Sequence, residues 1–285
     1  MQPLTFAGWV FPTSLSWTDW NFEPTVCTAL LAAVVAYVAA WRRGVLRSSD
    51  DVVQWLPASA WRPWLFGVGI ATAYIALQSP IDKGGDDFLL SIHMVQHLLL
   101  MMVAPPFLLL GIAGARPMAP RRARRTRRVW WAITRVWPAC LLFNAVLLVW
   151  HLPVLYNTTL TVGPLHVFEH ITFFAVGVIF WWPIVDPFSH AGTRRVSPLT
   201  KVAMLTIAGV PPTVVGLLFA VAPAPFYSFY VLSPRLWGWS AITDQQVAGV
   251  IMFGLGNLVY FVAVGIIFWR LMGESASEEA EAAAA

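Results

Sequence analysis

Residues 88–110 read FLLSIHMVQHLLLMMVAPPFLLL. A run of about 20 apolar residues at 1.5 Å each crosses the roughly 30 Å of a bilayer's hydrocarbon core, so this stretch reads as a membrane-spanning helix. It also carries two histidines. His93 and His97 are spaced i, i+4, which puts both rings and Met101 on one helix face. An ionisable side chain inside a lipid-spanning segment is costly and rare, so it marks a functional site by default. The spacing returns at His166 and His170 in PLHVFEHITFF (164–174), and a fifth histidine, His151, stands in VLLVWHLPVLY (146–156).

The rest of the chain is of the same kind. Of 285 residues, 58% are hydrophobic and 11% charged, and the mean hydropathy is +0.68, which excludes a soluble globular domain. Apolar runs predict spans at 25–41, 63–79, 88–110, 136–152, 164–184, 199–222 and 246–269. The expected fold is therefore all-α, a polytopic seven-transmembrane-helix bundle forming a single domain over 1–270. The remaining 271–285, MGESASEEAEAAAA after Leu271, is acidic and Ala-rich and reads as a disordered tail. All but Lys83 and Arg235 of the 18 basic residues fall in alternate loops on one side, which that bias makes cytoplasmic, with the N-terminus outside and the C-terminus inside. The basic run RPMAPRRARRTRR (116–128) reads as contact with anionic membrane lipid and not with nucleic acid. No basic n-region precedes a short apolar stretch at the start, so a cleavable signal is not expected. Cys27 and Cys140 form neither a disulfide framework nor a thiolate metal motif.

Depth along the helices collects the histidines. Entering from outside near Phe88, the third span places His93 and His97 about 8 and 14 Å deep, and the fifth places His166 and His170 about 3 and 9 Å deep. The fourth span ends outward at Trp150 and His151, and the seventh starts just after Thr243 and Asp244, either of which suits its N-cap. His190 lies in a cytoplasmic loop, apart from this set. Neutral imidazoles suit copper, zinc or iron, and a thioether such as Met101 favours Cu(I). Glu169 and Asp244 are the carboxylates available to accept from ligand imidazole N–H groups, although Glu169 is about 100° round the helix from His170.

Blander readings exist for each residue. A single membrane histidine is commonly an interhelical hydrogen-bonding group, and methionines commonly fill gaps. Pro105 and Pro106 predict a kink, Asn144 and Asn257 interhelical bonds, and Trp130, Trp131, Trp181 and Trp182 an interfacial belt. For the ensemble, three chemistries remain beside a plain scaffold: copper handling, axial haem ligation by paired histidines, and a zinc-dependent hydrolase using three histidines with Asp244 as acid or base.

HMVQHLLLMMVAPPFLLLG (93–111), WHLPVLYNTTL (150–160), HVFEHITFFAVGVIFWWP (166–183) and DQQVAGVIMF (244–253) together resemble the bacterial seven-span CtaG family associated with assembly of caa3-type cytochrome c oxidase. The resemblance implies a non-enzymatic protein of the bacterial cytoplasmic (inner) membrane. Its partners would be oxidase subunits, and its cargo copper, held through His93, His97, His151, His166 and His170. A single-span assembly factor shares the CtaG name but uses a thiolate copper motif. This chain has no such motif, so that chemistry does not transfer.

Overall fold

Proline opens helix after helix in this chain, since its fixed φ suits the first turn and its missing N–H falls where the helix has no acceptor to offer. The computed structural model describes residues 5–6, 8–10, 12, 14–46, 60–114, 124–187 and 196–284. A short antiparallel hairpin, β1 (Thr5–Phe6) with β2 (Trp9–Val10), precedes an otherwise helical chain. Helices α1 (Pro24–Arg42), α2 (Arg62–Gln78) and α3 (Pro80–Asp87) each carry Pro at one of their first two positions. Ser79 separates α2 from α3, its hydroxyl accepting from the Ile81 N–H at 3.2 Å, and the two helices meet at 43°.

Next comes one long span, Leu90–Gly111, made of α4 (Leu90–Leu98), a π turn (Leu99–Val103) and α5 (Ala104–Gly111). Helix α6 (Arg124–Ile133) bends by 75° into α7 (Val136–Trp150), followed by the short α8 (Pro153–Thr159) and the span α9 (Gly163–Val185). Helices α10 (Pro198–Ala208) and α11 (Val210–Val221) form another span. After α12 (Ser228–Leu232), α13 (Ala241–Val250), a second π turn (Ile251–Leu255) and α14 (Gly256–Ala284) run as the last. Among the described residues five helices are long and apolar enough to cross a membrane, or seven if each bent pair is one span. Apart from the N-terminal hairpin, the described residues form a helical, multi-pass membrane protein.

Its surface and interior are apportioned accordingly. Leu141, Val154, Phe261 and Trp269 are exposed, as lipid-facing side chains are, while His93, Gln96, Glu169 and Asp244 are fully enclosed. Lipid gives apolar helices little reason to associate, so close backbone approach has to supply the packing. Gly216 on α11 and Gly249 on α13 provide one such crossing, where a Cβ on Gly216 would lie 2.8 Å from the Gly249 carbonyl oxygen. Gly177 does the same for α9 against the π turn, where a Cβ would lie 2.8 Å from the Met101 carbonyl oxygen.

Several expectations need correction. Pro105 and Pro106 sit in the first turn of α5 directly after the π turn, so an extra residue at 99–103 precedes the prolines in this span. Trp181 and Trp182 are buried, with Trp181 Nε1 donating to the Met101 carbonyl at 3.2 Å, so they belong to the interior and not to an interfacial belt. Asn257 does bond between helices, donating to Thr213 Oγ1 at 2.7 Å, but Asn144 donates within its own helix, to Cys140 O at 3.0 Å. The last helix starts at Ala241, capped by Ser240, whose hydroxyl accepts from the Thr243 N–H. At its other end the backbone is helical through Ala284.

Candidate metal centre

Asp244, freed from capping its own helix, caps another. One carboxylate oxygen accepts from the Leu90 N–H at 2.7 Å, and the other from the Ser91 N–H at 3.0 Å and the Ser91 hydroxyl at 2.6 Å. These N–H groups open α4 and have no partner within the helix, and a carboxylate complements the positive end of the helix dipole. Gln96 pins the other side of α4, donating to the Ala76 carbonyl at 3.0 Å and to Asp82 Oδ1 at 2.7 Å. Asp244 is thus placed as an anchor of the helix that bears His93 and His97, and not beside their rings.

Four histidines meet between α4 and α9. Ring centroids are 4.2 Å apart for His93 and His97, 4.2 Å for His166 and His170, 5.5 Å for His93 and His166, and 5.5 Å for His97 and His170. Donor atoms of His93, His97 and His170 all lie within 4.8 Å of one another, and so do those of Asp86, His93 and His166. Two nitrogens on one ion at bonds of about 2.0–2.1 Å are separated by at most about 4 Å, so small ring movements bring either trio onto a common ion.

Hydrogen bonding fixes the tautomer of His93. The Tyr230 hydroxyl has one proton, which it donates to the Gly85 carbonyl at 2.6 Å. Its oxygen must then accept from His93 Nδ1–H, at 2.8 Å. The lone pair of His93 is therefore on Nε2, which has no hydrogen-bond partner among the described residues. His151 follows the same logic, since a backbone carbonyl can only accept: Nδ1–H donates to Leu147 O at 2.7 Å and leaves Nε2 with its lone pair and no partner. Outer partners of this kind orient metal-ligating histidines. The Nε2 atoms of His97, His166 and His170 are likewise buried without a hydrogen bond. A buried polar atom left unbonded is costly and asks for an explanation. Several converging imidazole nitrogens in that condition fit a metal ion's donor set.

Two carboxylates border the rings. Glu169 Oε1 is 4.0 Å from His97 Nε2, too long for a hydrogen bond, and Asp86 Oδ1 is 3.4 Å from His166 Nε2. Glu169 thus faces the neighbouring span despite its offset from His170. His151 belongs to neither trio. It packs against Phe173 and Tyr156 and meets His97 and Met101 around a small cavity. His190 lies outside the described residues.

Asp86 and Tyr230 had no place in the sequence reading. Asp86 lies in DKGGDD (82–87), which reads as an ordinary polar loop until the bend after Ser79 folds it over the histidines. A hint was available, because a chain with 14 acidic residues puts three of them in this one segment.

The family described as cytochrome c oxidase caa3 assembly factor matches residues 35–274 of the chain. Uncharacterised proteins of Mycobacterium bovis and Mycobacterium tuberculosis are each 25% identical to it over 290 residues, covering 88% of this chain and 39% of the relative. An uncharacterised protein of Mycobacterium leprae is 26% identical over 282 residues, covering 87% of this chain and 38% of the relative. The chain spans well under half the length of these curated relatives. No solved structure matches it.

Proposed function

Because the chain belongs to the caa3 cytochrome c oxidase assembly factor family, we propose that it holds copper in the histidine centre and passes it to an oxidase subunit at the outer side of the bacterial cytoplasmic membrane. One observation carries this reading: His93, His97 and His170 bring donor atoms within 4.8 Å of one another, with each Nε2 buried and unbonded. Copper is cargo here, and the protein acts as a chaperone and not as an enzyme. Neutral imidazole suits copper, and Tyr230 keeps His93 in the tautomer that presents its lone pair to the ion. Asp86 and Glu169 offset the positive charge of an ion in a low-dielectric interior, where a charge needs a partner. The positive-inside bias of the basic loops supports a site in the outer half of the membrane.

Glu169 also gives the zinc reading its best support, since a carboxylate beside three histidines is the arrangement a metal-dependent hydrolase uses to activate water. Packing weighs against both that reading and haem. Phe173 stands 4.5 Å from the His97 ring and Tyr156 5.5 Å from the His93 ring, and the adjoining cavity of about 30 Å3 is far too small for a macrocycle or a lipid substrate.

Metal analysis of the purified protein together with its absorption spectrum tests the reading. Copper without a Soret band is expected; a Soret band, or zinc alone after growth in copper, overturns it. In cells, His97→Ala and His170→Ala are expected to lower oxidase activity at unchanged abundance of the protein. Full oxidase activity in both variants would count against copper delivery through this centre.

A further inference from the structure

Below the histidines, the cavity of about 30 Å3 is lined by Met94, Met101, Met102 and Met252 together with His97 and His151. We infer that this chamber is a second cation position, separate from the histidine trios, built for a soft monovalent ion, Cu(I). The inference rests on the copper reading above for its physiological ion, and on the chamber alone for its chemistry.

Four of the chain's eight methionines face this one space, and all four are buried. As gap-fillers, flexible methionines are expected to close a void. These surround one that remains, of a size that admits a single water or ion. Two further observations set the place apart. Met101 and Met102 lie in the π turn Leu99–Val103, and Met252 lies in the π turn Ile251–Leu255, so both π turns of the chain's described residues meet at this chamber. A π turn inserts a residue into a helix, re-aims the side chains there and is commonly found at functional sites. The chamber also receives His97 and His151, whose Nε2 atoms are buried without hydrogen-bond partners. Thioether sulfur with imidazole nitrogen is a soft donor set that selects Cu(I) over harder divalent ions. Thioethers carry no charge and no proton, so an ion binds there without displacing one. His97 belongs both to a trio and to the chamber, and a neutral imidazole has one lone pair, so it serves one position at a time. That arrangement suits transfer between the two positions.

The test uses full-length protein labelled with selenomethionine, loaded anaerobically with Cu(I) in detergent, and read by X-ray absorption at the copper edge. Copper–selenium scattering is expected in the wild type and in His93→Ala/His170→Ala, which strips ligands from both trios but leaves the chamber. It is expected to vanish when all four lining methionines become leucine, Met94→Leu/Met101→Leu/Met102→Leu/Met252→Leu, each a volume-conserving change. Copper bound through nitrogen and oxygen alone in the wild type overturns the chamber and leaves the copper reading standing, as does selenium scattering that persists in the leucine variant. If the wild type takes up no copper, the copper reading fails, and Ag(I) then decides the chamber by itself: silver–selenium scattering supports it, and no silver uptake overturns it. Should the leucine variant fold poorly, a copper–selenium coordination number lower in Met252→Leu alone than in the wild type carries the same weight, and an unchanged number there overturns the chamber.

Discussion

Replacing Asp244 by Ala removes three hydrogen bonds at once from the start of α4, at 2.7, 3.0 and 2.6 Å. Bonds between polar side chains of membrane helices average about 0.6 kcal/mol, which puts a floor of about 2 kcal/mol under the loss. The Leu90 and Ser91 N–H groups have no alternative acceptor in the helix, and stranding a buried donor costs about 1–3 kcal/mol each, which puts the expected loss at about 2–6 kcal/mol. At about 2–4 °C per kcal/mol for a chain of this order of size, the unfolding midpoint should fall by roughly 5–15 °C. Cys140 is buried and free, so a thiol-reactive dye reports its exposure on heating once the half-buried Cys27 is replaced by Ala. Asp244→Asn keeps one acceptor oxygen and should lose about 1–2 kcal/mol. An Ala variant with a midpoint within about 1 °C of the parent, on the same scale, would refute the capping argument. So would an Asn variant as unstable as the Ala variant, because the effect would then not depend on acceptor number.

Tyr230→Phe removes the acceptor that fixes the His93 tautomer and should lower copper affinity about 10–100-fold, measured by competition with a chromophoric chelator, with little change in abundance. Gly85→Ala would place a Cβ 2.8 Å from His93 Cα, forcing α3 and α4 apart. It should reduce both thermal stability and copper occupancy, and an unchanged protein would contradict the packing described. Copper binding should be full at alkaline pH and weaken as the medium is acidified, since an imidazolium has no lone pair to offer; isothermal titration from alkaline to acid pH checks the sign. A fluorescent-protein fusion at residue 118 should be fluorescent and a phosphatase fusion at Thr161 active, and the reverse pattern would overturn the orientation read from the basic loops.

Hydropathy and helical rise were enough to predict an all-helical membrane protein and to put five histidines in one layer, because burial in lipid and a rise of about 1.5 Å per residue leave little freedom along the membrane normal. Rotation about each helix axis is another matter. That Glu169 faces His97 across two spans depends on how α4 and α9 are turned, which 100° steps cannot decide for two neighbours at once. Asp86 and Tyr230 were illegible for a different reason. Each lies on a short helix between spans, where apolar periodicity is weak and position follows from tertiary contacts such as the Tyr230–Gly85 bond. The π turns have no sequence signature of their own.

The bonds that shape the centre join distant parts of the chain: His93 and Tyr230 are 137 positions apart, and Leu90 and Asp244 are 154. During synthesis the span Leu90–Gly111 is made well before the residues that orient its first histidine and cap its first turn. A nascent chain carrying both histidine pairs still lacks the hydroxyl that sets one ring's tautomer and the carboxylate that holds its helix. Readiness of the site is therefore tied to the final span, so a truncated or stalled translation product carries the histidines without the groups that orient and anchor them.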